Sequence, residues 1–281
     1  ARCMEKADKP IIVPWDFTDV AQNAFLHALN FSKTLGSRIA LLHIVDDDKD
    51  IPEKEKSLEE AATNLSKEFG KRPHCIVKEG SIFTTIDEVA KLYNAEMIIM
   101  GTHGIKGAQK LFGSRAVKVV VSSRIPFLIV QDKPVNDKLE TILLPIDFKR
   151  ENKEKANWIY YLSTRFEEKV TIFKSHPRDK GFKKKLQSNM RYIENFLKTR
   201  DVDYDTVACK GKKKFKKEVV EYAKENNFDM ILIMATRDIT FFDYLLGAPE
   251  QYIIANKYNL PVMCINPRPR KISGGFRATG G

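Results

Sequence analysis

Two stretches of this chain carry residues suited to holding a phosphate. Gly101-Thr102-His103-Gly104 follows an apolar run, and Gly113-Ser114-Arg115 stands directly before a segment with helical spacing. Glycine lets backbone amides come close to an anion, and a helix N-terminus adds free N–H groups and a partial positive charge. Ser114 can cap that helix or donate to a phosphate oxygen, while Lys106 and Arg115 add charge. This is neither a Walker loop, since no Gly-Lys-Ser/Thr occurs there, nor a GxGxxG turn after the first strand. A third stretch, Pro14-Trp15-Asp16, also ends an apolar run. Asp16, like Asp147 later in the chain, could face a ligand or cap the helix that follows it. His103 has no carboxylate or serine arranged to make it a base, so no residue is assigned to catalysis. His43 lies on an apolar strand and reads as a satisfied core or edge histidine. Asp46-Asp47-Asp48 lacks further spaced oxygen ligands and reads as a solvated loop, so no metal site is expected.

The elements that position these residues occur twice. Ile11-Ile12-Val13-Pro14-Trp15-Asp16-Phe17 returns as Ile142-Leu143-Leu144-Pro145-Ile146-Asp147-Phe148. Met97–Met100 returns within Met230–Met234, and Ile125–Val130 returns as Leu260–Ile265. The offsets are 131 (14 to 145), 134 (100 to 234) and 135 (126 to 261), nearly constant and in the same order. That pattern indicates duplication of a whole domain. Strands are expected at Pro10–Pro14, Arg38–Val45, His74–Lys78, Glu96–Met100 and Pro126–Val130. Their counterparts are expected at Thr141–Pro145, Val170–Ser175, Tyr204–Cys209, Met230–Met234 and Pro261–Ile265. Helices lie between them: one from Thr18 to Gly36, one over Lys54–Phe69, one from Gly80-Ser81 to about Tyr93, and a short one over Ser114–Ser123. Strands alternating with helices give parallel sheets covered on both faces. The fold expected is therefore α/β, two tandem Rossmann-like domains, each an open five-stranded parallel sheet. Ligands of such sheets sit beyond the carboxyl ends of the strands, where the strand order reverses. The domains are placed at 9–133 and 140–266, with an extension at 1–8, a linker at 134–139 and a basic flexible tail at 267–281.

The chain has 281 residues, room for two cores of this size. No apolar run approaches the ~20 residues of a membrane span, and the scattered Cys3, Cys75, Cys209 and Cys264 form neither a zinc pattern nor a disulfide framework. A cytoplasmic protein without a membrane partner is expected. The net charge of +11 falls wholly in the second half: residues 1–140 hold 20 basic and 20 acidic side chains, residues 141–281 hold 28 and 17. Lys210-Gly211-Lys212-Lys213-Lys214-Phe215-Lys216-Lys217 sits where the second copy has gained about three residues. With the tail, it could attract RNA, a ribosome or an acidic protein, or be a solubilising face.

Taken together, Val13-Pro14-x-Asp16-Phe17-Thr18, Leu41-Leu42-His43-Ile44-Val45, Met100-Gly101-Thr102-His103-Gly104, Gly113-Ser114 and Ile125–Val130 resemble a universal stress protein domain. The likeness is close over about 9–131 and looser over 140–266, as in a tandem member. It implies a cytoplasmic, non-enzymatic stress-response protein that binds ATP or AMP, with paired domains and further homo-oligomers. Carried over, Asp16 contacts adenosine together with backbone at Pro14, Trp15 and Ile44, beside Met100. Gly101, Gly104, Gly113, Ser114 and the amide of Arg115 hold phosphate. Family members that bind ATP have nine residues between the second glycine and Gly-Ser; this chain has eight, Ile105–Phe112. The second copy reads Met234-Ala235-Thr236-Arg237-Asp238 and Gly247-Ala248, which adds a Cβ, places an anion and removes a hydroxyl. It reads as a lost site. The rival function is a scaffold that binds no nucleotide and works through its basic half. ATP hydrolysis or autophosphorylation has no identifiable base or metal ligand set.

Overall fold

Alternation along the strands decides the layering. Ile11 and Val13 pack on one face of the sheet and Ile12 on the other, and the same holds for Met97 and Ile99 against Ile98 and Met100. Strands that are apolar on both sides need cover on both. In the computed structural model, which describes residues 9–102, 125–234, 253 and 256–265, helices supply that cover. The strands are β1 (Ile11–Pro14), β2 (Ile39–Val45), β3 (His74–Glu79), β4 (Met97–Gly101), β5 (Phe127–Val130), β6 (Thr141–Ile146), β7 (Lys169–Lys174), β8 (Tyr204–Ala208), β9 (Met230–Met234) and β10 (Val262–Ile265). Among the described residues the longer helices are α1 (Asp19–Leu35), α2 (Ile51–Phe69), α3 (Ile82–Leu92), α4 (Lys155–Ser163), α5 (Lys180–Lys198) and α6 (Phe215–Glu225). Helices α1, α2, α4 and α5 send Phe25, Leu58, Ile159 and Ile193 into one core layer. Helices α3 and α6 send Ile86 and Val219 into the other.

The element ends follow local chemistry. Thr18 caps α1 by accepting from the Ala21 amide at 3.3 Å, and Gly36 and Gly70 end α1 and α2 in the left-handed conformation. Helix α2 starts at Ile51, earlier than the expected Lys54, because Pro52 suits a first helical turn. Asp47 caps a short 3₁₀ turn, Asp48–Asp50, in the acidic loop. Cys264 is buried in β10, and burial pushes its thiol pKa up, in keeping with a packing role. No described helix is long and apolar enough to cross a membrane.

One expectation is corrected. Instead of two separate five-stranded sheets, the strands form a single ten-stranded sheet in the order β3-β2-β1-β4-β5-β10-β9-β6-β7-β8. Strands are parallel within each half, and the halves meet through antiparallel β5 and β10. Leu128 pairs with Met263, flanked by Ile129 with Val262 and Phe127 with Cys264. Leu128 and Met263 are matching positions of the repeat, so the seam is symmetric about that pair. Apolar, uncharged edges on both strands leave each a template for the other. Phe31 of α1 and Phe166, beyond α4, add a ring contact at 5.3 Å across the seam.

Candidate functional site

In the first half the strand order reverses between β1 and β4, whose register pairs Ile11 with Met97. At their carboxyl ends Pro14, Trp15, Asp16, Ile44, Met100 and Gly101 line one cavity of about 90 Å³. The structure thus brings together six of the ten site residues expected from sequence. Gly104, Gly113, Ser114 and Arg115, with the loop and helix expected to carry them, lie outside the described residues, as do Lys106 and His103. That volume is below the ~300–1,000 Å³ of a whole small-molecule site, so the cavity has the room of a base or sugar.

Asp16 serves the helix entry and keeps capacity in reserve. Its Oδ1 accepts from the Thr18 amide at 3.2 Å and the Thr18 hydroxyl at 2.5 Å, while the carboxylate itself is exposed. The capping alternative is corrected: Thr18, not Asp16, is the N-cap of α1, and Asp16 instead holds Thr18. The next residue, Phe17, takes a positive φ of 61°, an uncommon conformation for a bulky side chain. Its exposed ring meets Trp15 edge-on at 6.4 Å and His43 at 5.0 Å. His43 lies 2.7 Å from the Trp15 carbonyl through Nδ1. A carbonyl only accepts, so Nδ1 carries the proton. His43 is satisfied as expected, but it also lines the cavity, as do Ile82 and Ile86. Trp15 is buried, and its Nε1 has no hydrogen-bond partner among the described residues. Sequence reasoning missed Phe17, His43, Ile82 and Ile86 as cavity or mouth residues.

Gly101 has a reason beyond approach to an anion. A Cβ placed there would lie 2.3 Å from the Val20 carbonyl oxygen and 2.6 Å from Val20 Cγ1. Helix α1 packs onto the end of β4 at a distance only glycine allows.

The second crevice is smaller, about 60 Å³, and its polar side chains bond among themselves and to the backbone. Asn152, Lys155 and Asn189 are all buried there. Asp147 Oδ1 accepts from the Lys149 amide at 2.9 Å and from Asn152 Nδ2. Asn189 Nδ2 donates to the Asp147 carbonyl at 2.9 Å and the Lys149 carbonyl at 2.8 Å. Lys155 Nζ donates to the Pro145 carbonyl at 2.6 Å. Burial lowers the Lys155 pKa to about 8, against the opposing pull of Asp147. The signal was present in the repeat, because Asn152 and Lys155 fall where the first copy has Ala21 and Ala24. Phe148 differs from Phe17 as well, stacking on Phe182 at 4.1 Å. Ala235, Arg237, Asp238, Gly247 and Ala248 lie outside the described residues.

The lysine run is only partly available. Lys213 Nζ pairs with Glu221 at 2.8 Å, and Glu218 accepts from the amides of Gly211 and Lys213. Those backbone hydrogen bonds help to hold the Glu218 pKa below the usual carboxylate range, against the larger effect of burial. The tail at 267–281 lies outside the described residues. Among the described residues there is no cluster of three or more metal-ligating side chains.

A family model described as the Universal stress protein family matches residues 9–131. Universal stress protein A homolog 2 of Coxiella burnetii is 32% identical over 114 residues, covering 40% of this chain and 76% of that protein. A universal stress protein of Methanocaldococcus jannaschii is 27% identical over 143 residues, 45% of this chain and 84% of its own length. The crystal structure of a universal stress protein from Archaeoglobus fulgidus superposes with a TM-score of 0.70 at 17% identity, covering 92% of this chain and 97% of that one, and so shares the fold. The chain belongs to the universal stress protein family.

Proposed function

We infer that this is a non-enzymatic stress-response protein with two universal stress protein domains, at 9–133 and 140–266, and one adenine-nucleotide site, in the first. The observation that carries this reading is the convergence of Pro14, Trp15, Asp16, Ile44, Met100 and Gly101 on one cavity at the strand-order reversal. ATP or AMP would place its base and ribose there, within reach of the Asp16 carboxylate. Its phosphates would extend towards Gly101, Gly104, Gly113, Ser114 and the Arg115 amide. Bound nucleotide would order the 101–113 loop and bias the surface shown to a partner. The second domain would act as a built-in mate, which the symmetric β5–β10 pairing favours. Its own crevice holds Asn152, Lys155 and Asn189 in place of a ligand.

Calorimetry with ATP and AMP tests the reading. At most one site per chain is expected, Gly113→Asp should abolish it, and Gly247→Asp should leave it unchanged. Two equivalent sites, or loss through the second variant, would overturn it.

A further inference from the structure

A cavity of about 400 Å³ lies at the seam between the halves and shares no residue with the crevice at Asp16. Its volume falls within the ~300–1,000 Å³ typical of small-molecule sites, which favour such junctions. Its floor is apolar: Phe31, Leu128, Phe166 and Phe228 are all buried. The end of the first half (Asp132, Lys133) and the linker form one wall, and the stretch before β10, from Tyr258 to Pro261, forms another.

The charges around the mouth are unequally committed. Asp229 Oδ2 accepts from the amides of Glu140 and Thr141 at 2.9 Å each and from the Thr141 hydroxyl at 3.1 Å, and its Oδ1 accepts from Asn136 Nδ2. Asp132 Oδ2 accepts from Asn259 Nδ2 at 2.8 Å. His27 is held neutral, since burial lowers its pKa to about 4, and its Nε2–H donates to the Asp132 carbonyl at 3.0 Å. Lys133, Lys138 and Lys224 also line the cavity and are exposed, and none makes an ion pair among the described residues. Both carboxylates are held by neutral donors and keep their charge, so three ammonium groups against two carboxylates leave a single net positive charge around the cavity.

We propose that this seam cavity binds a small organic anion, with a flat apolar body against the phenylalanine floor and a carboxylate at the lysines. The full chain is titrated with 2-naphthoate, followed by its fluorescence at low salt, and in parallel with the uncharged 2-naphthalenemethanol. One saturable naphthoate site is expected, with the alcohol bound roughly tenfold more weakly, as a contribution of up to about 1 kcal/mol from each exposed charge contact allows. The variant Lys133→Gln/Lys138→Gln/Lys224→Gln, whose changes are all on the surface, should weaken naphthoate roughly tenfold and leave the alcohol unchanged. Methyl NMR should place the ligand through shifts at Leu128, Leu139 and Leu260. Absence of saturable binding, equal affinity for acid and alcohol, unchanged affinity in the triple variant, or shifts confined to methyls elsewhere would each overturn the proposal.

Discussion

Gly101 separates two physical accounts of the same glycine. If it serves only the approach of backbone to phosphate, an added methyl group should weaken nucleotide binding and leave the fold untouched. If it lets α1 sit on the end of β4, the methyl group should damage both. Gly101→Ala puts a Cβ 2.3 Å from the Val20 carbonyl oxygen and 2.7 Å from the carbon that bears it. Ordinary contact begins near 3.4 Å, so backbone must move by about 1 Å; a side chain cannot turn away to relieve it. Overpacking of that kind costs about 1–3 kcal/mol. The strain falls on the first turn of α1, where Asp16 and Thr18 set the helix entry. Urea unfolding by far-UV circular dichroism should therefore show a lower midpoint with an unchanged slope. ATP affinity should fall with it, because the same turn frames the crevice. A stability change under ~0.5 kcal/mol, which is what an uninvolved site gives, would refute the packing account. The second half has Ala235 at the matching position, and its corresponding helix opens as a 3₁₀ turn, Arg150–Glu154, before α4 begins.

Two further predictions concern the second half. The Lys155 pKa is lowered from 10.5 to about 8, so between those values the unfolded chain holds the extra proton. Stability should rise with pH across that window by up to roughly 3 kcal/mol, and the penalty should be complete below pH 8. In Lys155→Met that rise should vanish, and parallel urea midpoints for the two proteins from pH 7.5 to 10 would contradict the assignment. For the lysine run, replacing Lys212, Lys213, Lys214, Lys216 and Lys217 by glutamine should lower the salt needed to elute the protein from heparin, with little change in unfolding midpoint. Identical elution would leave these lysines as a solvated face.

The sequence was most legible where a residue's role is local. Thr18, Gly36 and Gly70 act within a turn of themselves, and the structure places them where capping chemistry predicts. The strands were legible because continuous apolar runs have few other fates, and Met230–Met234 has the expected bounds. The joining of two sheets into one was not, since β5 and β10 look like any buried strand until their free edges meet. Half of the candidate site was visible as motif residues. Phe17 and His43 were not, because one depends on a backbone conformation and the other on a strand register. The filling of the second crevice could have been read from polar residues at the alanine positions of the repeat. Judging what Lys155 does there required its distance to the Pro145 carbonyl.

An approximate two-fold axis makes the contrast between the halves informative. The scaffold is the same on both sides of Leu128 and Met263, so a difference between crevices reflects selection on side chains and not on the fold. In the first crevice the buried Trp15 N–H has no partner among the described residues, the Asp16 carboxylate is exposed, and the aromatic ring of Phe17 stands exposed beside Trp15 and His43. Buried polar groups without partners cost about 1–3 kcal/mol each, a cost that a ligand would relieve. In the second, Asp147 is tied to Asn152, the neighbouring carbonyls accept from Asn189 and Lys155, and Phe148 is stacked. A ligand would have to displace those bonds to reach the same groups. The side chains of the two crevices thus favour the proposed placement of a ligand in the first half, and the second half supplies β10, which joins the two halves of the sheet.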